Sequence, residues 1–360
     1  MLTRSWEERI RPAVRVLEPY VWEMSSEEVA RRYGVPVESV LRFDTNTSPY
    51  QPTNLTPTLA ALAQTMPLNE YPDTSYGELV DALVAYTGFP NEQIVVGCGA
   101  DEVLDMLAKS IVEAGTRAVV SQPSYGMYPV LTAAYGGELV AVPDHPDLSR
   151  DVEGLARAAR GASVVWLCNP NNPTANLIPL AQVEWLVDQV ECPIVLDEAY
   201  FEFSGVTAAP LIARHPNVVV VRTLSKAFSL AGLRVGYALC SPGMADVLNR
   251  VRPPNSVGTL SVAVGAAALR DLETMRARVE AILTEKARFA EKLRPVVEAV
   301  LPSATNFLLV RVADAPKAVE RLLKAGIVPR DVSTKPGLAG CLRLTVRLPE
   351  ENEQLVKALS

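Results

Sequence analysis

Thr223-Leu-Ser-Lys-Ala-Phe-Ser-Leu-Ala-Gly-Leu-Arg-Val-Gly-Tyr237 places one lysine between hydroxyl-bearing residues and follows it with glycine and arginine. The stretch connects two apolar runs, Val218-Val-Val-Val221 and Val235-Gly-Tyr-Ala-Leu239. Such a segment can hold a phosphorylated aldehyde. Lys226 can form a Schiff base with a carbonyl, Thr223 and Ser225 can donate hydrogen bonds to a phosphate, and Arg234 can neutralise it in a forked contact. A Ser-x-Lys triplet alone is common on solvated loops, so the reading depends on what flanks it.

The flanking runs belong to a series. Ile94-Val-Val96, Ala118-Val-Val120, Leu139-Val-Ala-Val142, Ser163-Val-Val-Trp-Leu167 and Ile194-Val-Leu196 precede them, separated by segments of helical period. Short runs that are apolar on both faces and alternate with helices predict an α/β fold, with a mostly parallel sheet covered by helices on both sides. Ligands in that architecture gather beyond the carboxyl ends of the strands. Gly97-Cys-Gly-Ala-Asp-Glu102, Ser121-Gln-Pro-Ser-Tyr-Gly-Met-Tyr128, Asn169-Pro-Asn-Asn-Pro-Thr174, Asp197-Glu-Ala-Tyr200 and Lys226 all follow such runs.

Each of these has a functional and a plain reading. Gly99, Ala100 and Asp101 lead into Val103-Leu-Asp-Met-Leu107, so they open a helix, where unpaired N–H groups and the dipole favour a phosphate. An ordinary strand-to-helix turn is the alternative. Glu102 stands where a dinucleotide fingerprint has its third glycine, which speaks against a dehydrogenase. Asp197 ends an apolar run, and a buried carboxylate there needs a partner. A protonated pyridine nitrogen would serve, as would a helix cap or internal salt bridge. Tyr200 and Asn172 can bond a phenolic oxygen on such a ring and Tyr125 can stack on it, although tyrosines so placed are commonly core or rim residues.

Further out the pattern changes. Ser25 and Glu28 have capping-box spacing ahead of Val29 and Ala30, with Gly34 and Pro36 as the stop, which predicts a short helix. Asp44-Thr-Asn-Thr-Ser-Pro-Tyr50 is turn-rich and reads as a loop or linker. Past about residue 250, helical stretches at 262–269 and from Leu272 to about Val300 give way to strand, helix and strand at Phe307-Leu-Leu-Val310, 315–325 and Leu342-Arg-Leu-Thr-Val346. The expected organisation is an N-terminal arm and helix over 1–45 associated with a small domain, a large ligand-binding domain over 46–250, and a small α+β domain over 251–360.

Composition narrows the chemistry. The 360 residues are 49% hydrophobic and 21% charged, as in globular proteins. A net charge of −7 without a dense Lys/Arg run argues against nucleic acid or an anionic membrane as partner. The five cysteines are scattered and form no Cys-x-x-Cys, which argues against a disulfide framework or zinc site and fits a reducing cytoplasm. The first residues lack a signal-peptide core and no apolar run reaches the ~18 residues of a membrane span, so a soluble protein is expected. Only His145 and His215 are present, each beside a proline, leaving a lysine and carboxylates to do the work and no metal expected.

Taken together, Gly-x-Gly-Ala-Asp-Glu, Pro-Ser-Tyr, Asn-Pro-Asn-Asn-Pro-Thr, Asp-Glu-Ala-Tyr and Ser-Lys-x-x-x-Leu-Ala-Gly-Leu-Arg-x-Gly resemble, in order and spacing, the fold-type I, class II aminotransferases. From Glu18-Pro-Tyr-Val21 to Leu342-Arg-Leu-Thr-Val346 the chain is most similar to the histidinol-phosphate aminotransferase family. The resemblance implies pyridoxal 5′-phosphate as cofactor, with Lys226 as Schiff-base lysine and proton shuttle and Asp197 on the pyridine nitrogen. It implies Tyr200 and Asn172 on the phenolic oxygen, Tyr125 stacked on the ring, and Gly99, Ala100, Asp101, Thr223, Ser225 and Arg234 around the phosphate. Tyr71, in Tyr71-Pro-Asp73, resembles the residue that reaches the phosphate from the other subunit, which makes a homodimer with shared active sites part of the expectation. Arg343 resembles the clamp on the substrate α-carboxylate. Arg330 and Tyr20 resemble the groups that hold a distal phosphate, and Asn46 falls on the same substrate side.

Two departures lie there as well. Thr45-Asn-Thr-Ser-Pro49 replaces a common Asn-Glu-Asn-Pro, and Arg347 stands where a glycine is common. The implied reaction is transamination between histidinol phosphate and 2-oxoglutarate in histidine biosynthesis. An aromatic or other amino-acid aminotransferase, a threonine-phosphate decarboxylase-like lyase and a non-catalytic binding module of the same fold are the alternatives.

Overall fold

The computed structural model describes residues 6–17, 23–52, 55–67 and 69–360. Strands are numbered from β1 (Leu41–Arg42), and the seven apolar runs supply β2 (Ile94–Cys98), β3 (Arg117–Gln122), β4 (Glu138–Pro143), β5 (Val164–Cys168), β6 (Ile194–Asp197), β7 (Val218–Thr223) and β8 (Val235–Leu239). They form one sheet in the order β2-β8-β7-β6-β5-β3-β4. The strands from β7 to β4 run parallel, and β8 is antiparallel to both β2 and β7. This is the mostly parallel mixed sheet that the sequence predicts.

Burial explains why the runs are continuous. Every residue of β5, β6, β7 and β8 is buried, because helices cover both faces. Alternate side chains divide between two cores. Val218 and Val220 join Leu79, Leu83 and Leu186 on one face. Val219 and Val221 join Val103, Leu104 and Leu107 on the other.

The second sheet is built from short pieces. In chain order these are β9 (Ala299–Val300), β10 (Phe307–Arg311), β11 (Ile327–Val328), β12 (Arg330–Asp331) and β13 (Cys341–Thr345). β12-β13-β10-β9 form an antiparallel sheet, and β11 pairs in parallel with β1. Helix Ser26–Tyr33 begins as predicted, with Ser25 accepting the Glu28 N–H at 3.1 Å, and ends at Gly34 with φ 71°. Its Val29 packs with Leu323 and Val328. Helix Pro349–Leu359 adds to the expected elements; Pro349 opens it and Glu351 accepts the Leu348 N–H at 3.1 Å. Helix Thr259–Arg270 lies against the large sheet's covering layer, where a Cβ on Gly265 would sit 3.2 Å from Leu79. Among the described residues no helix is long and apolar enough to cross a membrane.

Candidate active site

The carboxyl ends of the parallel strands open onto a cavity of about 510 Å³. Ala100, Asp101, Tyr125, Asn172, Asp197, Tyr200, Thr223, Ser225, Lys226 and Arg234 line it together with Thr45, Asn46, Arg330 and Arg343. Residues scattered from Thr45 to Arg343 meet there, most of them because each follows or ends a strand.

One end of the cavity is an anion cradle. Helix Gly99–Ile111 starts directly after β2, and Gly99 makes the turn at φ 79°. A Cβ on Gly99 would lie 2.5 Å from Arg234 Nη2, and one on Gly236 would collide with the Ala100 nitrogen. Only glycine lets the arginine and the antiparallel strand come this close to the helix start. Arg234 Nη2 donates to Asp101 Oδ2 at 3.2 Å, and the Tyr125 hydroxyl donates to Asp101 Oδ1 at 2.8 Å. Glu102 closes the loop from inside, accepting from the Cys98 N–H at 2.6 Å and the Ser256 hydroxyl at 2.7 Å. The Thr223 hydroxyl is engaged internally, with Ser225 Oγ at 2.9 Å and the Val235 carbonyl at 3.1 Å, and it accepts the Ser225 N–H. This leaves the Ser225 hydroxyl proton for a ligand. A helix N-terminus, a hydroxyl and a guanidinium make a donor set suited to phosphate.

At the floor, Asp197 is 3% exposed. Tyr128 donates its hydroxyl to Oδ2 at 2.8 Å, and the Ala199 N–H reaches Oδ1 at 3.1 Å. Burial nonetheless pushes the carboxyl up to about 6. Among the described residues no cation forms an ion pair with it. Tyr128 is a site residue that the sequence reading leaves without a role, although it ends the quoted Tyr-Gly-Met-Tyr stretch. Its ring stacks on Trp166 with 5.8 Å between centroids and 4° between planes, which fixes the hydroxyl beside Asp197.

Lys226 lines the same cavity as this carboxylate. Burial, then the positive charge of Arg343, lower its pKa to about 8. Nζ donates to the Thr45 carbonyl at 3.3 Å and lies 5.8 Å from the Tyr200 ring centroid. The loop after β1 is therefore a cavity wall as well as a connection. Asn46 Nδ2 donates to the Tyr200 hydroxyl at 3.0 Å, and the Asn46 N–H is bound by Thr345 Oγ1 at 2.9 Å. Arg343 donates to Asn172 Oδ1 at 2.7 Å and to the Asp44 carbonyl.

Arg330 and Arg343 are register partners on β12 and β13, so their side chains leave the same face of the sheet. Arg330 pairs with Glu23 at 3.2 Å. Tyr71 is 85% exposed and does not line the cavity of this chain. Tyr20 lies outside the described residues.

Residues 38–359 match the family model described as aminotransferase class I and II. The chain is 36% identical over 363 residues to a histidinol-phosphate aminotransferase of Roseiflexus castenholzii, covering 97% of each chain. It is 35% identical over 364 residues to a histidinol-phosphate aminotransferase of Methanosarcina mazei, covering 99% of this chain and 98% of that one. Among solved structures, the histidinol-phosphate aminotransferase of Sinorhizobium meliloti in complex with pyridoxal-5'-phosphate superposes with a TM-score of 0.88 at 30% identity, over 98% of this chain and 96% of that one. A family match spanning nearly the whole chain, on a scaffold whose strand ends gather a lysine, a buried aspartate and an anion cradle, establishes that this protein belongs to the class I and II aminotransferases.

Proposed function

We propose that this chain is a pyridoxal 5′-phosphate-dependent histidinol-phosphate aminotransferase, with glutamate and 2-oxoglutarate as the partner pair. The observation that carries the substrate reading is the facing pair Arg330 and Arg343 lining the same cavity as Lys226. Like charges directly opposite in a sheet are destabilising. A site that keeps them is suited to anionic substrates, and the curated relatives carry the name of this activity.

The residues present fit the cofactor. The N-terminus of helix Gly99–Ile111 at Ala100 and Asp101, the Ser225 hydroxyl and Arg234 would hold its phosphate, with Thr223 orienting Ser225. Asp197, buried among neutral donors, would bind the ring nitrogen. Tyr200 and Asn172 would hold the phenolic oxygen, and Tyr125 would stack on the ring. When bound, the cofactor supplies an aldehyde and an electron-withdrawing ring.

The protein's own part is positioning and proton transfer. A lysine with a pKa of about 8 can accept and return a proton at the substrate Cα near neutral pH. Asn46 fixes the Tyr200 hydroxyl, Arg343 takes a carboxylate, and Arg330 with Tyr20 takes the distal phosphate. Tyr71, exposed on its own chain, would complete the cavity of a second copy, which makes the working form a homodimer. A cytoplasmic location and a division into arm, large domain and small domain at about residues 45 and 250 belong to the same reading.

Arg330→Ala tests it. Loss of one charged partner costs on the order of 2–5 kcal/mol when the other stays buried, so the half-reaction with the phosphorylated amine should weaken roughly tenfold to a thousandfold after allowing for solvent access. The glutamate half-reaction should weaken less, because Arg343 still holds its α-carboxylate. Equal effects on phosphorylated and unphosphorylated amines in single-turnover measurements would reject phosphate recognition. Carbon dioxide release from threonine phosphate would point instead to a lyase.

A further inference from the structure

Arg330 is not waiting empty-handed for a distal anion. Glu23 Oε1 lies 3.2 Å from its Nη1, and the two side chains, Glu23 and Arg330, are only 26% and 22% exposed. The segment that brings Glu23 there is anchored. Arg42 Nη1 donates to the neighbouring Met24 carbonyl at 2.7 Å, while its Nε and Nη2 grip Asp44 at 2.9 and 2.6 Å.

We propose that Glu23 is a specificity-determining residue, a stand-in anion that neutralises Arg330 when the substrate has no distal charge and is exchanged for the substrate's phosphate when it has one. This rests on the reading that Arg330 receives the distal phosphate. The physical logic is a competition. A half-buried guanidinium that loses its anion is costly, so a substrate with an uncharged side chain binds best when Glu23 keeps the pair intact. A phosphate carries more charge and three acceptor oxygens, so it can replace the carboxylate but must first displace it. Glu23 thus widens the range of amines accepted at the expense of affinity for the phosphorylated one.

The surroundings make the exchange feasible. Besides Arg330, Glu23 faces the Asp44 and Asp331 carboxylates, with the Asp331 backbone N–H as a further donor; burial, together with those two negative charges, outweighs the arginine and holds its pKa above the ordinary value. Arg42 is occupied by Asp44, and Lys335 and Arg343 add positive charge around Arg330. A carboxylate so placed is retained by one guanidinium and pushed by two neighbours, which suits a group that must let go.

The test compares holoenzyme of the wild type, Glu23→Gln and Arg330→Ala on histidinol phosphate and on histidinol. Glutamine keeps the shape and the acceptor for the Asp331 N–H while removing the charge. Glu23→Gln should raise kcat/KM for histidinol phosphate and lower it for histidinol, each by roughly three- to tenfold, with the change residing mainly in KM. As pH falls and Glu23 takes up a proton, the wild type should converge on the variant; the substrate's own phosphate titrates equally in both and drops out of the comparison. Parallel effects on the two amines, or a gap that does not close with pH, would overturn the proposal. If Arg330→Ala leaves the phosphate preference intact, the assignment of Arg330 itself fails. If that variant abolishes the preference while Glu23→Gln leaves the ratio unchanged, only the role of Glu23 fails.

Discussion

Asp197 and Glu198 are adjacent in sequence and almost equally buried, at 3% and 2% exposed, yet they are treated in opposite ways. Glu198 does not line the cavity. It accepts from Arg222 Nε and Nη2 at 3.1 and 3.0 Å, from the Thr207 hydroxyl at 2.8 Å and from the Ala208 N–H at 2.6 Å. Arg222 in turn lies 3.6 Å over the Phe201 ring. Asp197, by contrast, has two neutral donors and a cavity in front of it. Burial raises the pKa of both carboxyls, but the leading opposing influence is a guanidinium for Glu198 and a tyrosine hydroxyl for Asp197. A carboxylate with its cation built in is satisfied within the fold, whereas one held by neutral donors beside open space suits the role proposed for Asp197, that of receiving a cation from outside.

The contrast would break most visibly if Asp197→Asn remained active. An amide cannot counter a ring cation, and turnover should fall roughly ten-thousandfold, or ~5.5 kcal/mol. Near-wild-type steady-state rates would mean that the counter-ion lies elsewhere. Glu198→Gln should do the reverse, leaving turnover per folded molecule nearly intact while stranding the Arg222 guanidinium. Urea unfolding at pH 7 should show a loss of about 3–5 kcal/mol, and a loss near zero would show that the pair fastens nothing.

The finest test uses pH on the cofactor-free protein. The folded pKa of Asp197, about 6, lies above the ordinary aspartate value of 3.8. Its contribution to stability is therefore fully present below about 3.8 and is lost as pH rises through about 6. Asp197→Asn lacks this titration. Relative to wild type, the variant should gain up to about 3 kcal/mol between the acid and neutral ends of that window. A flat difference would show that Asp197 is as well compensated as Glu198.

The same pair marks what can be read from sequence. The inner strands of the large sheet are legible because burial on both faces leaves no alternation to misread, and edge strand β4, only partly covered, is read from its apolar run Leu139-Val-Ala-Val142; Asp197, Tyr200 and Lys226 are conspicuous as polar residues where such runs stop. Glu198 stands in the same motif but carries no visible role, since its partner Arg222 is set by the pairing of β6 with β7 rather than by spacing. Tyr128 is illegible for a like reason: its target is 69 residues away. Two-residue strands such as β11 and β12 exist because neighbouring elements pair with them, and the strand preference of Ile327 and Val328 has little to work on at that length. Helix Pro349–Leu359 does carry a signal, Leu348-Pro-Glu-Glu, with proline at its first turn and acids behind it.

The facing guanidiniums of Arg330 and Arg343 have a corollary at the bench. Sulfate and inorganic phosphate are small dianions, and common buffers supply them in excess over any substrate. Both should compete for the same positive corner, and because these side chains are largely shielded from solvent, ordinary salt will screen the attraction only in part. An apparent KM obtained in phosphate would then include the displacement of buffer. Kinetic constants for this protein acquire meaning only when the anion of the medium is stated with them.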